Sequence, residues 1–181
     1  MELEPVDVLV VGAGISGLGM AAHLRARRPS TSFVVLEARD AIGGTWDQFR
    51  YPGIRSDSDL HTYGYAFKPW TDDDAIATGD KILAYLAETV AEHDLARHLR
   101  LGHRVQHTSW SSADARWTVQ GEGPDGPFRI VARWLVATTG YFRYDAGHQP
   151  EFPGVERYRH TFVHPQHWPP DLDHAGRRVV V

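Results

Sequence analysis

Val6-Asp7-Val8-Leu9-Val10-Val11 runs directly into Gly12-Ala13-Gly14-Ile15-Ser16-Gly17. The first six residues are almost wholly apolar and β-branched, the composition of a strand buried in a parallel sheet, and a glycine-rich turn closes them. From Ile15 to Arg28 the small and apolar residues Leu18, Ala21, Ala22 and Leu24 read as a helix packed on that sheet. Arg25, Arg27, Arg28 and Pro29 close it. Phe33-Val34-Val35-Leu36-Glu37 is a second buried strand ending on an acid, which completes a βαβ unit.

Gly12, Gly14 and Gly17 form G-x-G-x-x-G. The first glycine makes the turn, the second lets backbone approach a pyrophosphate, and the third packs helix on strand. The motif alone is weak; its place between a strand and a helix N-terminus makes it a dinucleotide fingerprint of the Rossmann type. Glu37, at the end of the second strand, is placed to accept hydrogen bonds from a ribose. NAD and FAD both present that ribose, and the next segment decides between them. Gly43-Gly44-Thr45-Trp46 opens a long loop to Thr78 rich in glycine, aspartate and aromatic residues, as a larger, extended ligand requires. FAD is therefore expected.

Working outward, Asp80 to Asp94 has helical spacing with Ile82, Leu83, Leu86, Ala87 and Val90 on one face. Arg104 to Trp110, Trp117 to Gln120 and Phe128 to Val131 read as a small antiparallel meander. Trp134 to Thr138 is a further buried strand returning to the main sheet. Five prolines between Pro150 and Pro170 then forbid long regular elements, and Arg177 to Val181 looks like a strand beginning. The fold class expected is α/β: a Rossmann-like domain with a parallel sheet, flanking helices and a small β-meander.

The chain has 181 residues, 42% hydrophobic and 23% charged, with a formal net charge of −4. That balance gives no electrostatic reason to bind nucleic acid or an anionic membrane, so small-molecule partners are favoured. The apolar run at Val8 to Val11 is too short for a signal segment or a membrane span, which leaves the cytoplasm as the expected compartment. There is no cysteine, hence no disulfide, thiolate nucleophile or Cys-ligated metal. No metal site is expected from His160, His164, His167 and His174 either, because the intervening prolines break the helix that would align them.

Several ordered motifs together resemble the flavin-containing and Baeyer-Villiger monooxygenases. They are Gly12 to Gly17, Glu37, Gly43 to Asp47, Arg50 to Asp59, Ala137 to Tyr141 and His164 to Pro169. The resemblance implies that FAD is the resident cofactor, reduced by NADPH, and that O2 activated at the flavin oxygenates a ketone or a sulfide. Ser16 and Glu37 would touch diphosphate and adenosine ribose. Thr45, Trp46, Asp47 and Gln48 would line the ribityl and ring region, Val105 would bind adenine through its backbone, and Gly44 and Gly140 would be cofactor-binding glycines. Asp57, tuned by Arg55 and by burial, would stand beside the ring near Tyr63 as the catalytic acid. His164 and Trp168 belong to a fingerprint that links the two dinucleotide domains. Its other positions depart here, with Tyr158 for phenylalanine and His160 where relatives have glycine, a place that would need a positive backbone torsion.

On this reading residues 1–148 form the FAD-binding domain, 149–176 the linker and 177–181 the first strand of a nicotinamide domain. Relatives draw a peroxide-steadying arginine from later sequence, so a fragment of this extent is expected to turn over little. Two alternatives stand beside it: a non-catalytic FAD-binding module, and another two-dinucleotide flavoprotein such as a disulfide reductase, against which the missing cysteine counts.

Overall fold

In an extended strand successive side chains face opposite ways, so a strand apolar throughout must be covered on both sides. The computed structural model, which describes residues 2–181, meets that demand with two packed layers on one twisted sheet. β1 (Val6–Val11) leads through α1 (Ile15–Arg27) to β2 (Phe33–Leu36). The short helices α2 (Thr45–Gln48) and α3 (Leu60–Tyr63) interrupt the long loop before α4 (Gly79–Glu92). Then come β3 (Leu99–Arg100), β4 (Arg104–Ser111), β5 (Arg116–Gly123) and β6 (Gly126–Ala137). The sheet order is β3-β2-β1-β6-β5-β4, parallel from β3 to β6 and antiparallel from β6 to β4.

Val8 and Val10 point to one side, where Leu18, Ala21 and Ala22 of α1 and Ile82 and Leu86 of α4 cover them. Leu9 points to the other and meets Leu36 of β2 and Val119, Phe128 and Ile130 of the antiparallel half. Each fully buried aliphatic side chain of this kind contributes about 1.5–3 kcal/mol.

Some of these expectations need correction. The last strand of the meander and the returning strand are one element: β6 runs for 12 residues, pairing with β5 at its start and with β1 at its end. Arg133, whose charge made the run read as two, sits exposed with Nη1 3.6 Å from Asp7. Nor is its second half buried on both faces. The fully buried residues of the cluster under the antiparallel half end at Ala132; beyond it Leu135 and Val136 are only part-buried against the two clusters, and Trp134 is 69% exposed. On α4 the buried face is turned from the expected one. Ala87 is exposed, while Tyr85 and Thr89 are buried because their hydroxyls find Lys68 O at 2.6 Å and Tyr85 O at 2.8 Å. Residues 177–181 pair with no described strand and take no regular form.

Where β2 begins, the His98 ring stacks on Phe33 at 4.0 Å and Nδ1 lies 3.2 Å from Phe33 O. Its Nε2 is buried without a partner among the described residues. Burial holds this imidazole below the usual histidine pKa. The Phe33 carbonyl opposes that effect, and the cations Arg97 and Arg25 add to it. The unfolded chain therefore takes up this proton first as pH falls. The stability contributed by neutral His98 is complete above about pH 6.5 and declines below it until the folded ring protonates too. Urea unfolding at pH 7.5 and 5.5 should show a larger loss for the native chain than for His98→Phe, which keeps the stacked ring and lacks the proton site.

Candidate dinucleotide site

The carboxyl ends of β1, β2 and β6 open on a cleft of about 1450 Å³. This is the position where ligands bind in parallel α/β sheets. The three fingerprint glycines serve different ends there. Gly12 has φ +107°, and a Cβ on it would lie 2.6 Å from Thr138 O; one on Gly17 would lie 1.8 Å from Gly12 O. Both are demanded by the fold itself, and Gly17 is a packing residue outside the cleft lining. Gly14 has an ordinary φ of −78°, and its Cβ would come no nearer than 3.7 Å to any neighbour, at Gly44 Cα. No contact among the described residues requires glycine at 14, yet its bare backbone lines the cleft beside Ser16 and the first amides of α1.

Glu37 is 7% exposed. Its Oε2 accepts the Ala13 N–H at 2.7 Å and its Oε1 the Arg39 N–H at 2.9 Å, so the carboxylate ties the glycine turn to the end of β2. Each oxygen retains a second lone pair, and the side chain lines the cleft. Val105 lines the same end, on β4 where the pairing with β5 slips between Val105 and His107.

The opposite wall is built by the glycine-tryptophan segment. Gly44, at φ +57°, leads into α2, from which Thr45 and Trp46 face the cleft. The Trp46 indole N–H donates to the Tyr63 hydroxyl at 3.1 Å. Burial pushes the Tyr63 phenol pKa up, and that indole bond opposes the shift in part. Asp47 and Gln48 do not line the cleft. Asp47 pairs with Arg39 and Arg50, and Gln48 accepts from Arg39 while its Nε2 donates to Gln166 O at 3.3 Å. They hold loops together.

Arg55 and Asp57 reach the cleft but form no ion pair with each other among the described residues, and Asp57 is exposed rather than buried. Strand-like alternation is the reason. Ser56 turns inward, its N–H on Ala77 O at 2.9 Å and its hydroxyl accepting the Ala77 N–H at 3.2 Å, which leaves both neighbours outward.

Gly140, at φ +72°, His164 and Trp168 complete the lining. His164 accepts the Gln166 N–H on Nδ1 and lies 3.2 Å from His148 O through Nε2, which fixes the Nε2–H tautomer. His160 is not in the left-handed region, so its side chain replaces glycine without torsional strain. Two contributors escaped sequence reading. The Thr138 hydroxyl caps Val11 O at 2.8 Å, and Gln166, 6% exposed, donates to Arg143 O and Tyr144 O, each at 2.9 Å. The signal for the first was a threonine pair ending the strand beside the glycine turn; for the second, a lone amide within a proline-rich stretch.

Residues 10–73 match the family described as NAD(P)-binding Rossmann-like domain. The FAD-containing monooxygenase EthA of Mycolicibacterium smegmatis is 49% identical over 178 residues, 98% of this chain and 36% of that protein. EthA of Mycobacterium tuberculosis is 47% identical over 178 residues, with the same shares of 98% and 36%. Among solved structures, a steroid monooxygenase bound to NADP superposes with a TM-score of 0.77 at 34% identity, over 93% of this chain and 32% of that one. Cyclohexanone monooxygenase in its open form gives a TM-score of 0.79 at 30% identity, over 97% and 34%. The chain thus spans about a third of the length of these relatives. The resemblance read from the motifs stands: it is to the N-terminal part of FAD-containing monooxygenases, with Baeyer-Villiger enzymes among the structural neighbours.

Removing the Glu37 carboxylate strands two amide donors beneath the turn. Glu37→Ala should lower unfolding free energy by about 1–3 kcal/mol, and Glu37→Gln, which keeps one acceptor, by less. Chemical denaturation of the three proteins checks the ranking.

Proposed function

We propose that this chain holds FAD along the cleft and serves as the FAD-binding part of an NADPH-dependent monooxygenase acting with O2 on a ketone or a sulfide. The observation that carries the reading is Gly14, a glycine with no internal cause, whose missing side chain leaves backbone open to a ligand at the start of a 13-residue helix. Both the motif order and the relatives support FAD as that ligand.

FAD, when bound and reduced by NADPH, supplies the electrons with which O2 is activated. The chain itself binds and orients the cofactor and keeps its surroundings dry. Ser16 and the first amides of α1 take the diphosphate, favoured by the helix dipole. Glu37 accepts from the adenosine ribose with its remaining lone pairs, and the Val105 backbone meets adenine. Gly44, Thr45, Trp46 and Tyr63 form a hydrogen-bonded wall along the ribityl and ring region, while Gly140 lets the chain turn at its edge. Arg55 and Asp57 present opposite charges to the ring face. His164 and Trp168 sit on the segment that relays nicotinamide binding. In this reading residues 1–148 are the FAD domain, 149–176 the linker, and 177–181 begin the next domain.

Gly14→Ala tests the assignment directly. The variant should fold with a stability change of no more than about 1 kcal/mol, since its Cβ meets only ordinary contacts. It should bind FAD at least about tenfold more weakly, followed by quenching of flavin fluorescence. Unchanged affinity in a folded Gly14→Ala chain would sink the reading.

A further inference from the structure

Tyr144 carries no role in the reading above, yet its hydroxyl stands where three turns of the cleft meet. It lies 3.4 Å from Thr45 Oγ1, and side chains built on Gly44 and on Gly140 would each come within 3.7 Å of it. Gly44 in turn packs on Gly14, so the phenol stands one glycine removed from the glycine-rich turn. The ring is half-buried and belongs to the cleft lining. Among the described residues its one side-chain hydrogen bond is the long one to Thr45, which leaves the O–H proton available to a stronger acceptor.

The backbone that carries it is held from below. The buried Gln166 amide donates to both Arg143 O and Tyr144 O at 2.9 Å, and Gln48 of α2 donates to the Gln166 carbonyl at 3.3 Å. A closed circuit results: α2 grips Gln166, Gln166 grips residues 143 and 144, and the Tyr144 hydroxyl returns to Thr45 on α2. Such a circuit fixes a polar group in place before any ligand arrives.

We infer that Tyr144 is a further ligand-binding residue, whose hydroxyl donates to an anionic phosphate oxygen of the bound dinucleotide, and that Gln166 is its positioning residue. The inference rests on the dinucleotide reading and adds to it a donor from outside α1. It also accounts for the buried glutamine of the proline-rich stretch, through whose single side chain the segment bearing His164 is tied to the phosphate end of the site.

FAD titration of the native chain, Tyr144→Phe, Gln166→Met and the double variant, each with its ligand-free melting curve, tests this. Tyr144→Phe should bind about tenfold more weakly, as expected for loss of one charge-assisted bond, with an unchanged ligand-free melting temperature. Gln166→Met should weaken binding as well, and the double variant should be no weaker than Gln166→Met alone, because a mispositioned hydroxyl has nothing left to lose. Native-like affinity in Tyr144→Phe overturns the inference, as does a matching fall in ligand-free stability. Losses that multiply in the double variant overturn the positioning role. A native chain that takes up no FAD overturns the dinucleotide reading instead, and this inference with it.

Discussion

The close approach of the Thr138 carbonyl to Gly12 Cα governs the whole arrangement. A side chain at position 12 would occupy the space of that carbonyl, so only glycine lets β1 and β6 end side by side. The Thr138 hydroxyl then caps the last carbonyls of β1, the turn passes directly into α1, and Gly17 brings the helix down onto it. Once these atoms are in contact, the positions of Glu37, Gly44 and Gly140 around the cleft follow from strands already in register.

This division of labour explains why one motif carries two different meanings. Gly12 and Gly17 answer to packing, and their presence says only that the turn is tight. Gly14 answers to nothing inside the protein. Its separation from the other two, visible only once neighbouring atoms are placed, turns a loose pattern into a statement about a ligand.

The first 37 residues were legible because every signal there is local: an unbroken apolar run, glycines at fixed spacing, a helix closed by arginines and an acid at a strand end. Legibility fell where a residue's partner is far along the chain. Asp47 and Gln48 sit in a segment that reads as cleft lining, but arginines and Gln166, the latter 118 positions away, claim their polar atoms. Asp57 reads as a desolvated acid from its aromatic surroundings, whereas alternation around Ser56 turns it outward. The continuity of β6 was hidden because Arg133 interrupts the apolar pattern at a point where the strand is open to solvent on one side. Tyr85 and Thr89 were passed over on α4 for the same reason in reverse: hydroxyl groups look like surface until their acceptors are known.

The length of β6 bears on how the molecule assembles. Its last contact, Thr138 with Val11, joins positions 127 apart in sequence, and the loop entropy of that closure is met only after the antiparallel half exists to bring the strand back. β1, α1 and β2 have their partners early, but β6, whose end leads into the cleft lining at Thr138, comes last of the sheet strands. The glycine turn therefore gains its contact with Thr138 only once the last strand of the sheet is in place.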